Sequence, residues 1–327
     1  MAVPTYAELM ARTDAPAGSS WGLFADTGDL GTLNFLTPDR VRAAAALIRK
    51  GTVINLELPL DGLPLPLVPA RTAPEHDVFG NGSCHRDDRL TFAPQGSTHI
   101  DGLRHFRHPV HGYYNGASDE DVESGARLGI DRWGEVGIAG RAILLDLPRH
   151  LERVGKPPLD HRAGEVFGVG LLDDVLAGQG TERQPGDIVL LRTGWLDHYL
   201  DVLTPEERTA LVRTPRHPGL VQSQETLAWL WDGQTSALFA DNFAVEAVPA
   251  VADAADSATY AAETGIRSGA MHVEMLALLG LVIGELWALH DLADACAEDG
   301  VYEAFFTAKP LSVRGGVASP GNALAIR

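Results

Sequence analysis

The segment Gln95-Gly96-Ser97-Thr98-His99-Ile100-Asp101-Gly102-Leu103-Arg104-His105 constrains this 327-residue chain more than any other. It sets two imidazoles, a carboxylate and a carboxamide within eleven residues. The run before it, Asp88 to Ala93, alternates and carries Leu90 and Phe92, so it reads as a strand. A strand that continued would put His99 and Asp101, at i and i+2, on one face. Two ligand-type side chains on one rigid face suit a divalent cation. Gly96 and Gly102 flank them and let the backbone turn into and out of the site. A His-x-Asp pair alone arises often by chance, so the flanking residues matter. Gln95 offers a third ligand oxygen, and His105 a spare imidazole for proton transfer.

Length allows one large domain or two small ones, with enough chain to bury a sizeable core. Hydrophobic content of 45% and charged content of 21% are those of an ordinary globular protein. The net charge of −18, from 44 acidic and 26 basic residues, repels phosphate backbones and anionic membrane surfaces. Nucleic acid and membrane are therefore not expected as partners. Cys84 and Cys296 make no disulfide framework, which points to a reducing, cytoplasmic compartment. No basic-then-apolar leader opens the chain, and Met275 to Ile283 is too short to span a bilayer. Cys84 beside His85 is a weak nucleophile pair, because adjacent residues on an extended chain point apart. Gly-x-Ser-x-Gly elbows, Walker loops and Gly-x-Gly-x-x-Gly fingerprints do not occur where they would carry chemistry.

Residues 1–36 read as an ordered N-terminal arm. Pro4, Pro16 and Ala17-Gly18-Ser19-Ser20 prevent a long helix, while Trp21 and Leu33 need burial. Residues 37–327 read as one domain, with no linker, internal repeat or low-complexity segment. Thr37-Pro38-Asp39 starts a helix that runs to Ile48 and ends at Gly51. Thr52 to Leu58 alternates as a strand with one apolar face, and the five prolines between Pro59 and Pro74 make a loop. Ser118 to Glu123 is an acidic loop or helix start. Strands are expected at Ala142–Asp146, Asp187–Leu191, Ala237–Ala240 and Leu281–Leu286. Helices are expected after the capping box Thr204-Pro205-Glu206-Glu207, over Ser223–Trp231, and over Met271–Leu279, closed by Gly280. These interleave without the steady alternation of a doubly wound fold.

The Gln95–His105 segment resembles the signature of the cyclase family of metal-dependent hydrolases, His-x-Gly-Thr-His-x-Asp-x-Pro-x-His. Kynurenine formamidase and isatin hydrolase belong to that family. Its second His falls on His99, its Asp on Asp101 and its last His on His105. Gln95 replaces the first His, and Leu103 replaces the Pro. Relatives with the full His set can hold two zinc ions, whereas others hold one metal, often manganese. Gln95 therefore favours one Mn²⁺ or Zn²⁺ per chain, its carbonyl oxygen suiting manganese better. Further segments resemble the larger bacterial branch: Trp21-Gly22, Tyr114-Asn115-Gly116, Arg192-Thr193-Gly194-Trp195, Asp241 to Glu246, His272 to Glu285, and Pro310 to Ala323.

The resemblance implies an α/β, cyclase-like swivelling β/β/α fold. Its mixed, β-barrel-like core is flanked by helices and assembles as a homodimer or homotetramer. It implies that His272 and Glu285 line the pocket and, in two-metal relatives, complete a second site; whether they ligate metal here stays open. Asp241, at a strand end, either steadies a ligand or touches substrate, or is a plain turn residue. Trp21, Phe106, Tyr114 and Trp195 make an aromatic pocket, or serve as core. His108 and His111 read as rim or surface.

The favoured function is metal-dependent hydrolysis of a small cyclic or aryl amide, or of a lactone, with His105 as general acid–base. Two alternatives share the scaffold: a cyclase or dehydratase acting on a pathway intermediate, and a ligand-binding protein with a degraded metal site.

Overall fold

The computed structural model describes residues 3–80, 82, 84–250 and 270–327. Four parallel strands form the middle of the main sheet: β5 (Ile138–Asp146), β7 (Ile188–Arg192), β9 (Ala237–Ala240) and β10 (Val282–Glu285). Every residue of β7, β9 and β10 is buried. Strands covered on both faces read as unbroken apolar runs, which is why their sequences do not alternate. Antiparallel strands extend the sheet on each side. Beyond β5 come β11 (Glu303–Ala308), β13 (Leu324–Ile326) and β1 (Val53–Asn55). Beyond β10 come β4 (His99–Asp101) and β12 (Ala318–Ser319). The result is a curled, open half-barrel of nine strands, flanked by helices. The α/β, barrel-like expectation holds, with β1 and β12 left as separate edges.

Helices pack on the sheet through apolar stripes. The helix Val169–Gln179 buries Val169, Leu172, Val175 and Leu176, a helical period. Trp287, just after β10, stacks on Phe239 of β9 with ring centroids 4.1 Å apart. The expected caps are present: Thr37 accepts from the Arg40 amide, and Thr204 with Glu207 forms a capping box. Two short strands, β6 (Val166–Phe167) and β8 (Gly219–Leu220), pair in parallel away from the main sheet. Among the described residues no helix is long and apolar enough to cross a membrane.

Three expectations are corrected. The run Asp88–Ala93 does not continue into His99. Instead β3 (Asp87–Thr91) pairs with β2 (Glu75–Phe79) as an exposed hairpin, and a turn closed by the Gly96 amide on the Ala93 carbonyl separates it from β4. The helix after Thr37 stops at Ala44 and tightens into a 3₁₀ turn, Ala45–Leu47. The strand from Thr52 shrinks to Val53–Asn55, because beyond it the chain bonds elsewhere: the Leu56 carbonyl to the Ala288 amide, and the Leu58 amide to the Thr98 hydroxyl.

Candidate metal site

β4 is three residues long and wholly buried. Ile100 joins the hydrophobic core, while His99 and Asp101 leave the opposite face. The antiparallel register with β10 then decides the third member: Glu285 lies directly across from His99. Residues directly opposite in such a pair carry side chains on the same face. Gly284 between them has a steric reason. A Cβ there would come within 2.5 Å of the His99 carbonyl oxygen and 2.7 Å of the Trp287 indole nitrogen.

His99 Nε2 lies 3.6 Å from Asp101 Oδ1 and 3.7 Å from Glu285 Oε2. One ligand atom from each residue falls within 4.8 Å of the others. Ligands about 2.1 Å from one metal ion stand roughly 3–4 Å apart, so the spacing fits. His99 Nδ1 donates to the Ser97 carbonyl at 2.7 Å, which leaves the lone pair of a neutral ring on Nε2. His99 Nε2, Asp101 Oδ2 and Glu285 Oε2 are all buried without a hydrogen-bond partner among the described residues. Buried polar atoms are normally paired. Three clustered side chains, each with a buried electron-donor atom left unpaired, make a candidate cation site.

Gln95, expected as a ligand, sits beside this cluster with its carboxamide nitrogen toward Asp101. A carboxylate only accepts, so the carboxamide turns its NH₂ toward Asp101. Its Nε2 donates to Asp101 Oδ1 at 2.5 Å and lies 3.1 Å from His105 Nε2. Glu285 is the third member of the cluster. With the second Gln95 hydrogen on His105 Nε2, that nitrogen carries the lone pair, the form a general base needs. Burial also pulls the His105 pKa below its ordinary 6.5, against the pull of Asp101. Its side chain keeps 21% of its surface exposed, whereas those of His99 and Asp101 keep none.

His272 and Glu285 come together as the resemblance implied, with His272 Nε2 3.1 Å from Glu285 Oε1. They arrive from different elements: His272 lies just before a π-helical turn, Glu274–Leu278, and Glu285 ends β10. The other face of His272 is held by Glu246. Glu246 Oε1 takes His272 Nδ1 at 2.5 Å and the His272 amide at 3.0 Å, and Oε2 takes the Met271 amide at 2.6 Å. Burial disfavours a charged His272, yet the two carboxylates outweigh it and raise its pKa. Burial likewise disfavours an ionised Glu285, and His272 outweighs it and holds that carboxyl low. A carboxylate behind an imidazole fixes both ring orientation and basicity. His272→Gln, which removes the imidazole bonded to Glu285, is expected to weaken Mn²⁺ affinity by about 10–100-fold, read by titration against a competing chelator. Unchanged affinity would mean that His272 does not sense the metal.

The remaining expected residues divide. Phe106 flanks the site, edge-on to His105 at 4.6 Å and tilted on His272 at 5.4 Å. Trp21 and Tyr114 brace the arm against the π-helical turn. The Trp21 indole donates to the Ala277 carbonyl, and the Tyr114 hydroxyl lies 3.0 Å from that of Ser20. Trp195 is fully buried in a second cluster, stacked on Tyr199. Asp241 is a turn residue: its oxygens accept from the Thr193 amide and hydroxyl and the Gly194 amide, each at 2.7 Å. The acid that steadies a site residue is Glu246, a few positions on. Ala244 and Val245 both adopt positive φ, 81° and 61°, and swing Glu246 round. Non-glycine residues rarely take that conformation, so nothing in the sequence announces it. His108 is buried and stacks on His111 at 4.6 Å, outside the cluster. Arg71, from the proline-rich loop, was not anticipated. It donates to the Gln95 carbonyl at 3.1 Å, and its charge reaches His105 and Glu285.

A mixed half-barrel with a buried His–Asp–Glu cluster at one side of the sheet defines the class: an α/β protein with a candidate divalent-metal site. Residues 34–247 match the family model described as putative cyclase, and the chain belongs to that family. No curated protein matches the sequence. A solved structure described as a novel cyclase superposes with a TM-score of 0.80 at 31% identity, covering 94% of this chain and 99% of the other. Isatin hydrolase A from Labrenzia aggregata, bound to benzyl benzoate, gives 0.56 at 14% identity over 84% and 93% of the two chains. Isatin hydrolase A from Ralstonia solanacearum gives 0.54 at 17% over 88% and 97%. At these identities the two isatin hydrolases share the fold.

Proposed function

We propose that this chain is a metal-dependent hydrolase of a small cyclic or aryl amide, or of a lactone. The observation that carries the reading is the clustering of His99, Asp101 and Glu285, each with a buried polar atom unpaired among the described residues, beside a partly exposed His105. These three residues would hold one divalent cation. Two carboxylates offset its charge, and an oxygen-rich donor set favours Mn²⁺ over Zn²⁺. A bound cation supplies Lewis acidity toward the scissile carbonyl and makes water more acidic.

His105 Nε2, its lone pair freed when the attacking water displaces the Gln95 N–H, takes the proton of that water and returns it to the leaving nitrogen or oxygen. Until that water enters, Gln95 keeps His105 and Asp101 in fixed relation through its two N–H groups. Phe106 presents an apolar edge that suits an aryl group. A small-molecule substrate and a homodimeric or homotetrameric assembly complete the proposal.

The test is turnover by the Mn²⁺-loaded chain on three probes: isatin, the aryl lactone dihydrocoumarin, and the aryl amide formanilide. Isatin is included because the isatin hydrolases share this fold. At least one probe should be hydrolysed, with activity lost on chelation and restored by Mn²⁺. A chain that binds Mn²⁺ and hydrolyses none of them would count against the amide and lactone classes.

A further inference from the structure

His217 is not used by the chemistry above. It is 1% exposed; the Pro218 backbone is the polar group beside its ring, and neither ring nitrogen makes a well-formed hydrogen bond among the described residues. Its ring is held edge-on between Trp195, at 5.7 Å, and Phe243, at 5.8 Å. Its backbone is equally fixed. The His217 amide and carbonyl both pair with Val248, at 3.0 and 3.2 Å, and Asn242 Nδ2 donates to the next carbonyl, that of Pro218. This segment lies against the one carrying Glu246; a Cβ on Gly219 would stand 2.2 Å from the Glu246 carbonyl carbon. The ring is also within electrostatic reach of Glu285 and His272. An imidazole so confined and so unpaired is costly to keep in a folded protein.

We propose that His217 is a substrate-binding residue of the metal site, its ring nitrogens kept for a hydrogen bond to the bound substrate. The inference rests on the hydrolase reading. The burial that depresses its pKa to about 4 keeps the ring neutral near pH 7, with one nitrogen a donor and the other an acceptor. Trp195 thereby gains a role: it does not line the pocket but buttresses the ring that does.

The test compares wild type, His217→Phe and His217→Gln. The Phe variant keeps a planar ring between Trp195 and Phe243, and the Gln variant keeps a donor and an acceptor. In the metal-free chain, His217→Phe should melt no lower than wild type, since an unpaired polar ring is removed. Mn²⁺ content should be unchanged. With dihydrocoumarin, kcat/KM should fall on the order of 10-fold or more in His217→Phe and recover in part in His217→Gln. A lower melting temperature with unchanged kcat/KM would show a structural role only and overturn the proposal, while leaving the hydrolase reading intact. If wild type does not turn over dihydrocoumarin, benzoate binding to the Mn²⁺-loaded proteins by calorimetry decides. Weaker binding by His217→Phe supports the proposal; equal binding, or none by either, overturns it.

Discussion

His105→Ala is expected to retain its metal and lose about 10²–10⁴ in kcat, the usual worth of a positioned general acid–base. His105 makes no bond that the His99–Asp101–Glu285 cluster needs; its polar contacts are Gln95 Nε2 at 3.1 Å and Asp101 Oδ1 at 3.7 Å. The pH profile supplies a second readout. Burial lowers the His105 pKa from 6.5, so the base form persists into mild acid. The wild-type rate should therefore rise with pH along a limb below 6.5, then level, and His105→Ala should lose that limb. An alanine variant with full activity would remove His105 from the chemistry.

Asp101→Ala should have a different and larger effect, because it removes the metal itself. Asp101 faces both His99 and His105 and takes the Gln95 amide. The loss in Mn²⁺ affinity should exceed the roughly 10–100-fold typical of removing an outer partner. Thermal melting offers a check that does not depend on substrate. A ligand present at about 100 times its Kd stabilises the folded state by about 2.7 kcal/mol. Wild type should gain that increment on adding Mn²⁺, seen as a higher melting temperature, and Asp101→Ala should not. A variant that still gained it would place the metal elsewhere.

What could be read from the sequence follows from how local each feature is. His99 and Asp101 sit two apart, so strand periodicity alone puts them on one face. Buried strands such as Ile188–Arg192 and Ala237–Ala240 announce themselves as apolar runs, and caps such as Thr37 and Thr204 by their residue types. Glu285 entered the expectation only through family resemblance, since its place opposite His99 is set by a strand register between distant segments. The role of Gln95 is not legible in the sequence, because its partner is decided by which atom faces it. Seen alone, a carboxamide is as plausible a ligand as a donor to Asp101. Glu246 and His217 were missed for the same reason as each other. Each depends on the path of 244–248, where two non-glycine residues at positive φ and the pairing of His217 with Val248 bring both toward the sheet end. Arg71 lies in a loop whose prolines exclude regular structure without fixing where it leads.

The central claim is that His99, Asp101 and Glu285 together hold one divalent ion, and metal analysis tests it most directly. Wild type and Glu285→Ala, each loaded with Mn²⁺ and desalted, would be measured side by side by inductively coupled plasma mass spectrometry. The account predicts about one ion per wild-type chain and a large loss in Glu285→Ala, with the variant still folded by circular dichroism. No retained metal in wild type, or equal retention in both proteins, would contradict it.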